Sequence, residues 1–278
     1  MSTRVANRHS ESKDPSQAST IWNKVTHSML NVAGYLARIR YEGSTDPSAD
    51  TLRLVHRAHL FTVPFENLDI GLRRTIACDA DAAVRKIVDH RRGGFCYEMN
   101  GAFAALLRAL GFSVTLLSAR VAREDGSEGP EFDHLTLRVD LDEPWLADVG
   151  FGDSFLEPLQ LKSGFEQPQG ERAFRIIEKN DRLQMEMRDE GKPWKREYSF
   201  TLQPRQLDEF AGMCHYHQTS PASSFTQKRI CSLATPDGRV TVADFRLIIT
   251  RDGKREEKIL GSECERHEAL QNYFGLVL

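Results

Sequence analysis

The chain has no pair of cysteines at CxxC spacing, and its five cysteines, at 78, 96, 214, 231 and 264, are scattered and odd in number. That pattern argues against a disulfide framework or a zinc ribbon and for reduced thiols. Charge of one sign is also lacking: 37 Lys and Arg against 40 Asp and Glu give a net charge of −3. Nothing global therefore favours nucleic acid or an anionic membrane as a partner. No apolar run approaches a transmembrane span, and the N-terminus lacks the apolar core of a secretory signal. The expectation is a cytoplasmic protein, monomeric or weakly homo-oligomeric. There is no internal repeat. The one GxG, Gly150-Phe151-Gly152, lacks the third glycine and the following helix of a dinucleotide site.

Two histidine clusters fall short of metal sites. Cys214, His215 and His217 are close in sequence, with His215 and His217 on one face if the segment is a strand, but a further ligand is missing. His56 and His59 share a helix face with no carboxylate or thiol beside them, so structural roles are expected. No metal is expected.

Residues 1–28 are polar, with almost no apolar periodicity, and read as a disordered extension. Helical spacing begins near Met29 (Val32, Tyr35, Leu36, Ile39), resumes after Asp46-Pro47 (Leu52, Val55, His59, Leu60) and again over Asp81–His90. The stretch Val63–Ile70 between them reads as a loop or short strand. After Gly111 the period changes to alternation, with strands near 112–121, 132–140, 145–149, 173–178, 183–188 and 197–202. A short helix near 204–213 precedes strand signals at 230–233, 239–250 and 258–260. A last helix starts at the capping-box pair Ser262 and Glu265, with Leu270, Tyr273 and Phe274 as its apolar face.

The most informative stretch is Arg91–Asn100, where Gly93, Gly94 and Phe95 deliver Cys96 to the start of an apolar helix marked by Met99, Phe103, Leu106, Leu107 and Leu110. A thiol there feels the positive end of the helix dipole, which favours the nucleophilic thiolate. Gly93 and Gly94 would leave room for a substrate and make the turn. Taken alone, these residues fit a buried structural cysteine equally well. A cysteine nucleophile needs a base and an acceptor to orient that base. If Asp140–Pro144 form a hairpin loop, Val139 faces Trp145 and Thr136 faces Asp148, which puts Asp148 on the face of His134. A one-residue slip would separate them. Each of the two fits a structural role when the cysteine is left aside.

Arg92-Gly93-Gly94-Phe95-Cys96, Val63-Pro64-Phe65-Glu66-Asn67-Leu68, His134-Leu135-Thr136-Leu137, Asp148-Val149-Gly150-Phe151-Gly152 and Thr219–Phe225, in this order, resemble the arylamine N-acetyltransferase family from about Met29 to the C-terminus. The resemblance implies an α+β, three-part, cysteine-protease-like fold: a helical bundle (29–115), a central antiparallel β-barrel (116–203) and an α/β lid (204–278). It implies a Cys96-His134-Asp148 triad, Phe65 and Phe151 lining the acceptor pocket, and Gly152 and Thr219 near the coenzyme A cleft. The implied reaction is ping-pong acetyl transfer from acetyl-CoA to an aromatic amine or hydrazine, with the backbone N–H of Cys96 as one oxyanion donor. An amide synthase, an amidase or a thioester hydrolase with the same triad is the alternative, because the acceptor is set by the pocket and not by the triad. Glu66 is expected to pair with Arg91 or Arg92 and brace the nucleophile turn. Two departures from the family pattern are a longer N-terminal extension and Met99 where a polar residue is common.

Overall fold

The computed structural model describes residues 30–278, so the polar extension expected over 1–28 lies outside the described residues. Five helices come first: α1 (Val32–Arg38), α2 (Ala49–Leu60), α3 (Leu68–Gly71), α4 (Ala80–Val88) and α5 (Cys96–Ala109). Side-chain caps start three of them, from Asn31, Ser48 and Asp79 to the backbone N–H of Gly34, Thr51 and Ala82. Nearly all of α5 is buried, and Tyr35, Leu52, Val55 and Ile87 from the other helices pack around it. The stretch read as a loop or short strand holds two elements: a two-residue strand, β1 (Phe65–Glu66), and the single helical turn α3, which follows Asn67.

Eight antiparallel strands form the central sheet: β2 (Ser113–Val121), β3 (His134–Asp140), β4 (Pro144–Ala147), β5 (Leu159–Gln160), β6 (Gln167–Gln169), β7 (Arg172–Lys179), β8 (Arg182–Asp189) and β9 (Lys195–Phe200). Their spatial order is β5-β4-β3-β2-β9-β8-β7-β6. The two edges meet through glutamine side chains of β6, Gln169 bonding Glu157 just before β5 and Gln167 bonding β5 itself. Gln167 Oε1 accepts from Gln160 N at 2.8 Å and its Nε2 donates to Gln160 O at 3.1 Å, which nearly closes the sheet into a barrel. Leu117, Phe155, Phe174, Ile176, Met185, Tyr198 and Phe200 fill the interior. β5 and β6 escape sequence reading because two or three residues, one of them Pro168, show no alternation.

The β3–β4 hairpin has the expected register, with Val139 opposite Trp145. Asp140 also pairs with Pro144, and the ladder ends at Leu137–Ala147, so Asp148 lies just past the strand.

The last part departs from expectation in three places. Cys214, His215 and His217 lie on a helix, α6 (Ala211–Thr219), reached through a 3-10 turn at Leu207–Phe210, because Cys214 and His217 at i, i+3 both turn inward. The run 239–250 is two strands. After α7 (Ser224–Gln227) come β10 (Ile230–Thr235), β11 (Gly238–Ala243), β12 (Arg246–Arg251) and β13 (Lys254–Ile259), and β11 and β12 part at Asp244, whose φ of 51° makes the turn without glycine. In α8 (Glu263–Phe274), Leu270 and Phe274 are buried, but Tyr273 turns outward. β1 joins the far edge strand of this second sheet, in the order β1-β10-β11-β12-β13, so the helical part and the C-terminal part share backbone hydrogen bonds.

A charged knot sits under the turn that leads into α5. Arg92 donates to Glu66 (2.7 and 2.9 Å) and Asp69 (3.1 Å), while Lys86 Nζ lies 2.7 Å from both Asp69 and Glu98. Arg92, not Arg91, is the partner of Glu66. Removing one member of a buried set leaves an uncompensated charge, which costs about 3–5 kcal/mol. Glu66→Gln is therefore expected to lower the melting temperature clearly, and an unchanged melting curve would contradict a bracing role. Burial, with Glu66 nearby, pushes the Glu98 carboxyl up to about 7 against the opposing pull of Lys86. A raised carboxyl keeps its proton longer in the folded chain, so its contribution is complete below the ordinary value of 4.5 and declines as the pH rises towards about 7. The stability difference between wild type and Glu98→Gln should shift in favour of the variant across that window, as measured by urea titrations at several pH values.

Candidate active site

Cys96 is the first residue of α5, and Phe95 before it is extended. Glu98 at the third helical position accepts the Phe95 N–H at 3.2 Å, which holds the helix start closed from below. The room expected beside Gly93 and Gly94 is filled by protein. A methyl group on Gly93 would collide with the Pro64 carbonyl oxygen, and one on Gly94 would lie 2.6 Å from the Glu98 side chain. These glycines serve close backbone packing, since Glu66 N also donates to Gly94 O at 2.9 Å. They do not make space for substrate.

The same closeness recurs above the helix. A Cβ on Gly150 would lie 2.8 Å from Cys96 Cα and 2.7 Å from Asn100 Nδ2, so the loop after β4 rests directly on the first turn of α5. Asn100, one turn beyond Cys96, binds that loop. Its Nδ2 donates to Asp148 Oδ1 at 2.8 Å and to Leu135 O at 2.6 Å, and its Oδ1 accepts from Val149 N at 2.9 Å. Tyr97 donates to Phe132 O at 2.8 Å, two residues before His134. One helical turn thus fixes both the strand that carries His134 and the loop that carries Asp148.

His134 Nε2 and Asp148 Oδ2 are 2.6 Å apart, as the register requires. With Nε2 engaged, Nδ1 is the ring nitrogen left for a thiol. Gly150, two residues after Asp148, packs against Cys96 Cα, which brings the start of α5 to this pair. Asp148 is also held from behind. Its N–H donates to His56 Nε2 at 3.1 Å, and because His56 Nδ1 is 2.8 Å from Leu156 O, His56 is the neutral tautomer with its proton on Nδ1. Burial pushes His56 down to about 4, in keeping with that neutral form. His59 meets the Tyr35 hydroxyl at 3.0 Å.

Burial works on the two partners in different ways. It would raise the Asp148 carboxyl, but His134, the Asn100 amide and the Gly150 N–H outweigh it and hold the group below the usual carboxylate range. Burial pushes the Cys96 thiol well up, helped by the nearby Cys214, Asp148 and Asp133, with the Leu135 backbone opposing. The expected depression of this thiol by the helix start is therefore outweighed by its removal from water: Cys96 is only 3 % exposed. A thiolate there is stable only beside a cation.

Aromatic rings enclose the group. Phe151 meets His134 edge-on at 5.2 Å, and Tyr198 lies 5.3 Å from His134 and 5.1 Å from Phe151. Phe65 faces the open side of Gly152 and, with Met99 and Val149, lines a cavity of only about 10 Å³. Phe225 on α7 packs on Phe95 and Phe65, and Asn67 pins this segment by donating to Phe225 O and Lys228 O. Thr219 is not brought to the triad. It is exposed, its hydroxyl donates to His215 O, and it lines a separate cavity of about 410 Å³ beside Lys228 and Arg229. Among the described residues no group of three His, Cys, Asp or Glu could hold a metal, and no helix is long and apolar enough to cross a membrane.

With this geometry in view, the comparisons with known proteins are specific. The profile of the N-acetyltransferase family matches residues 48–278. The chain belongs to the arylamine N-acetyltransferase family. A pineal gland arylamine N-acetyltransferase isozyme of Gallus gallus is 35% identical over 276 residues, covering 90% of this chain and 95% of the relative. The arylamine N-acetyltransferase of Escherichia coli is 34% identical over 248 residues, covering 87% of each. Among solved structures, the arylamine N-acetyltransferase of Mycobacterium marinum in complex with CoA superposes with a TM-score of 0.81 at 32% identity, covering 88% of this chain and 92% of that one.

Sequence reasoning about this arylamine N-acetyltransferase missed Asn100, His56 and Tyr198 as parts of the site. Asn100 was legible, since i+4 from the nucleophile puts it on the same helix face. The Asp148–His56 bond and the Tyr198 ring depend on tertiary contacts that no local pattern encodes. Asn100→Ala should cost about 2 kcal/mol or more by leaving a buried carboxylate and two backbone groups short of partners. It should also lower kcat below the unfolding temperature. Gly150→Ala should do the same by displacing the first turn of α5. Wild-type kinetics in either variant would refute the clamp.

Proposed function

We propose that this enzyme transfers an acetyl group from acetyl-CoA to an arylamine or arylhydrazine by a ping-pong route through an acetyl-Cys96 intermediate. Family membership supports acetyl transfer to arylamines, with acetyl-CoA as the co-substrate. The observation that carries the finer reading is the 2.6 Å His134–Asp148 pair, bound through Asn100 to the helix turn that starts at Cys96.

The Cys96 proton passes to His134, and the anion forms together with its counter-cation in a site that excludes most water. That ion pair is how a thiol raised by burial becomes nucleophilic. Sγ attacks the thioester carbonyl carbon, and the Cys96 N–H, free at the helix start, meets the developing oxyanion. The carbon–sulfur bond to coenzyme A breaks, and the departing thiolate takes the proton back from His134. An amine then attacks the acetyl-cysteine. His134 accepts its proton and returns it to Sγ as the amide leaves, while Asp148 stabilises the imidazolium and Asn100 holds Asp148 in place.

Phe65 and Phe151 offer flat apolar faces to an aromatic acceptor. Because the cavity at Phe65 is far smaller than a ring, side chains there, Phe65 first, move when substrate enters. Gly152 stands beside Phe65 on the same path. Thr219, with Lys228 and Arg229 near it, suits the polar end of the coenzyme. The burial of Cys96 also disfavours the alternative of hydrolysis, which needs water at the acyl carbon.

Incubation with acetyl-CoA and no amine should release one equivalent of free coenzyme thiol and leave an acetyl group on Cys96, detectable by mass spectrometry. Cys96→Ala should form no adduct while melting as a folded protein. Asp148→Asn should lower kcat by about a hundredfold or more. Substantial transfer by Cys96→Ala would overturn this reading.

A further inference from the structure

Away from the site lies a second polar cavity, of about 350 Å³, where the ends of α1, α2 and α8 meet the turn before Gly93. Arg38, Arg40 and Arg91 line it together with Thr62, Gln271 and Asn272. Among the described residues no carboxylate lies within ion-pair distance of any of the three arginines. Arg38 is accounted for. It is buried, and its guanidinium donates to Ile87 O, Thr62 O, Arg91 O and Arg92 O, the carbonyls that finish α2 and the α4–α5 connection. Nothing comparable holds Arg40 or Arg91. Both are exposed, neither side chain has a hydrogen-bond partner among the described residues, and both adopt the left-handed backbone, with φ of 56° and 53°. Glycine or asparagine fits such positions with less strain. Arginines have these two places instead, as Arg73 has a third elsewhere, and Arg40 and Arg91 border the same cavity.

We propose that this cavity binds a phosphate-class anion, with Arg40 and Arg91 as its ligands and buried Arg38 as the fixed charge behind them. Three like charges around one volume repel one another. The C-terminal carbonyl ends of α1, α2 and α8 offset part of that repulsion, and an anion of charge near −2 relieves the remainder. The repulsion is visible in Arg38, which burial and then Arg91 and Arg40 push down to about 10. Arg91 and Thr62 offer a polar rim, and Asn272 and Gln271 offer amide donors. The site bears on the nucleophile at one remove, because Arg38 holds the carbonyls of Arg91 and Arg92, the two residues that lead into Gly93 and Gly94.

Thermal melting in inorganic phosphate, against sodium chloride at matched ionic strength, tests the site without reference to acetyl transfer. Phosphate should raise the wild-type midpoint beyond the chloride control in a saturable way. In the double variant Arg40→Gly/Arg91→Asn, which removes both charges and relieves the backbone, apparent phosphate affinity should fall about tenfold or more. Arg91→Gln alone, which keeps the backbone conformation, should fall part of the way. A shift equal to that in chloride, or one retained in the double variant, overturns the proposal. The source of the anion is read by comparing acetyl-CoA with its 3′-dephospho analogue. A rise in KM in the double variant confined to acetyl-CoA assigns the site to the coenzyme's own phosphate. Unchanged KM for both, with the phosphate-induced shift lost, assigns it to a free anion.

Discussion

The contact on which the rest depends is the seating of the first turn of α5 against the loop after β4. Gly150 has no side chain, so the backbone of that loop reaches Cys96, and Asn100 then fastens it by three hydrogen bonds to Asp148, Leu135 and Val149. Two segments far from the helix in sequence, at Leu135 and at Asp148-Val149, are thereby held to one helical turn. The packing below the turn follows the same logic. Gly93 and Gly94 lie against Pro64 and Glu98, and the buried charges of Glu66, Asp69, Lys86, Arg92 and Glu98 fix the entry of the chain into the helix. The start of α5, with Cys96, is thus clamped from both sides, which is what the proposed geometry-sensitive acyl transfer needs.

Burial is the second organising fact, and it acts against a free thiolate. At 3 % exposure the helix dipole does not by itself lower the thiol, so in the proposed reaction charge separation would occur within the Cys96–His134 pair, backed by an Asp148 held below the usual carboxylate range and fully hydrogen-bonded. The enclosing rings of Phe151, Tyr198 and Phe65 keep water out and strengthen each of these interactions. They also fill the space the proposed acceptor would need, so in that reading substrate entry and side-chain movement are coupled.

Much of this was legible in the sequence, for identifiable reasons. The helical period after Cys96 and the alternation around His134 are long and strong. The β3–β4 register followed from the positions of two apolar faces and a short turn, and it placed Asp148 correctly. What was not legible depended on contacts made only in the folded chain. The role of Gly93 and Gly94 was misread because only the structure shows that Pro64 and Glu98 occupy the space beside them. The helix that carries Cys214 and His217 was not legible because period 2 and period 3 cannot be told apart over four residues. The split at Asp244 was hidden because its turn uses no glycine, and the left-handed backbone at Arg40 and Arg91 left no mark in any apolar pattern.

The central claim is that the first half-reaction is complete on Cys96 before any acceptor arrives. Isotope exchange between acetyl-CoA and labelled free coenzyme A, with no amine present, tests it most directly. The account predicts rapid exchange in the wild type that disappears in Cys96→Ala. Exchange that requires an amine would show that both substrates must be bound together, and would contradict the account.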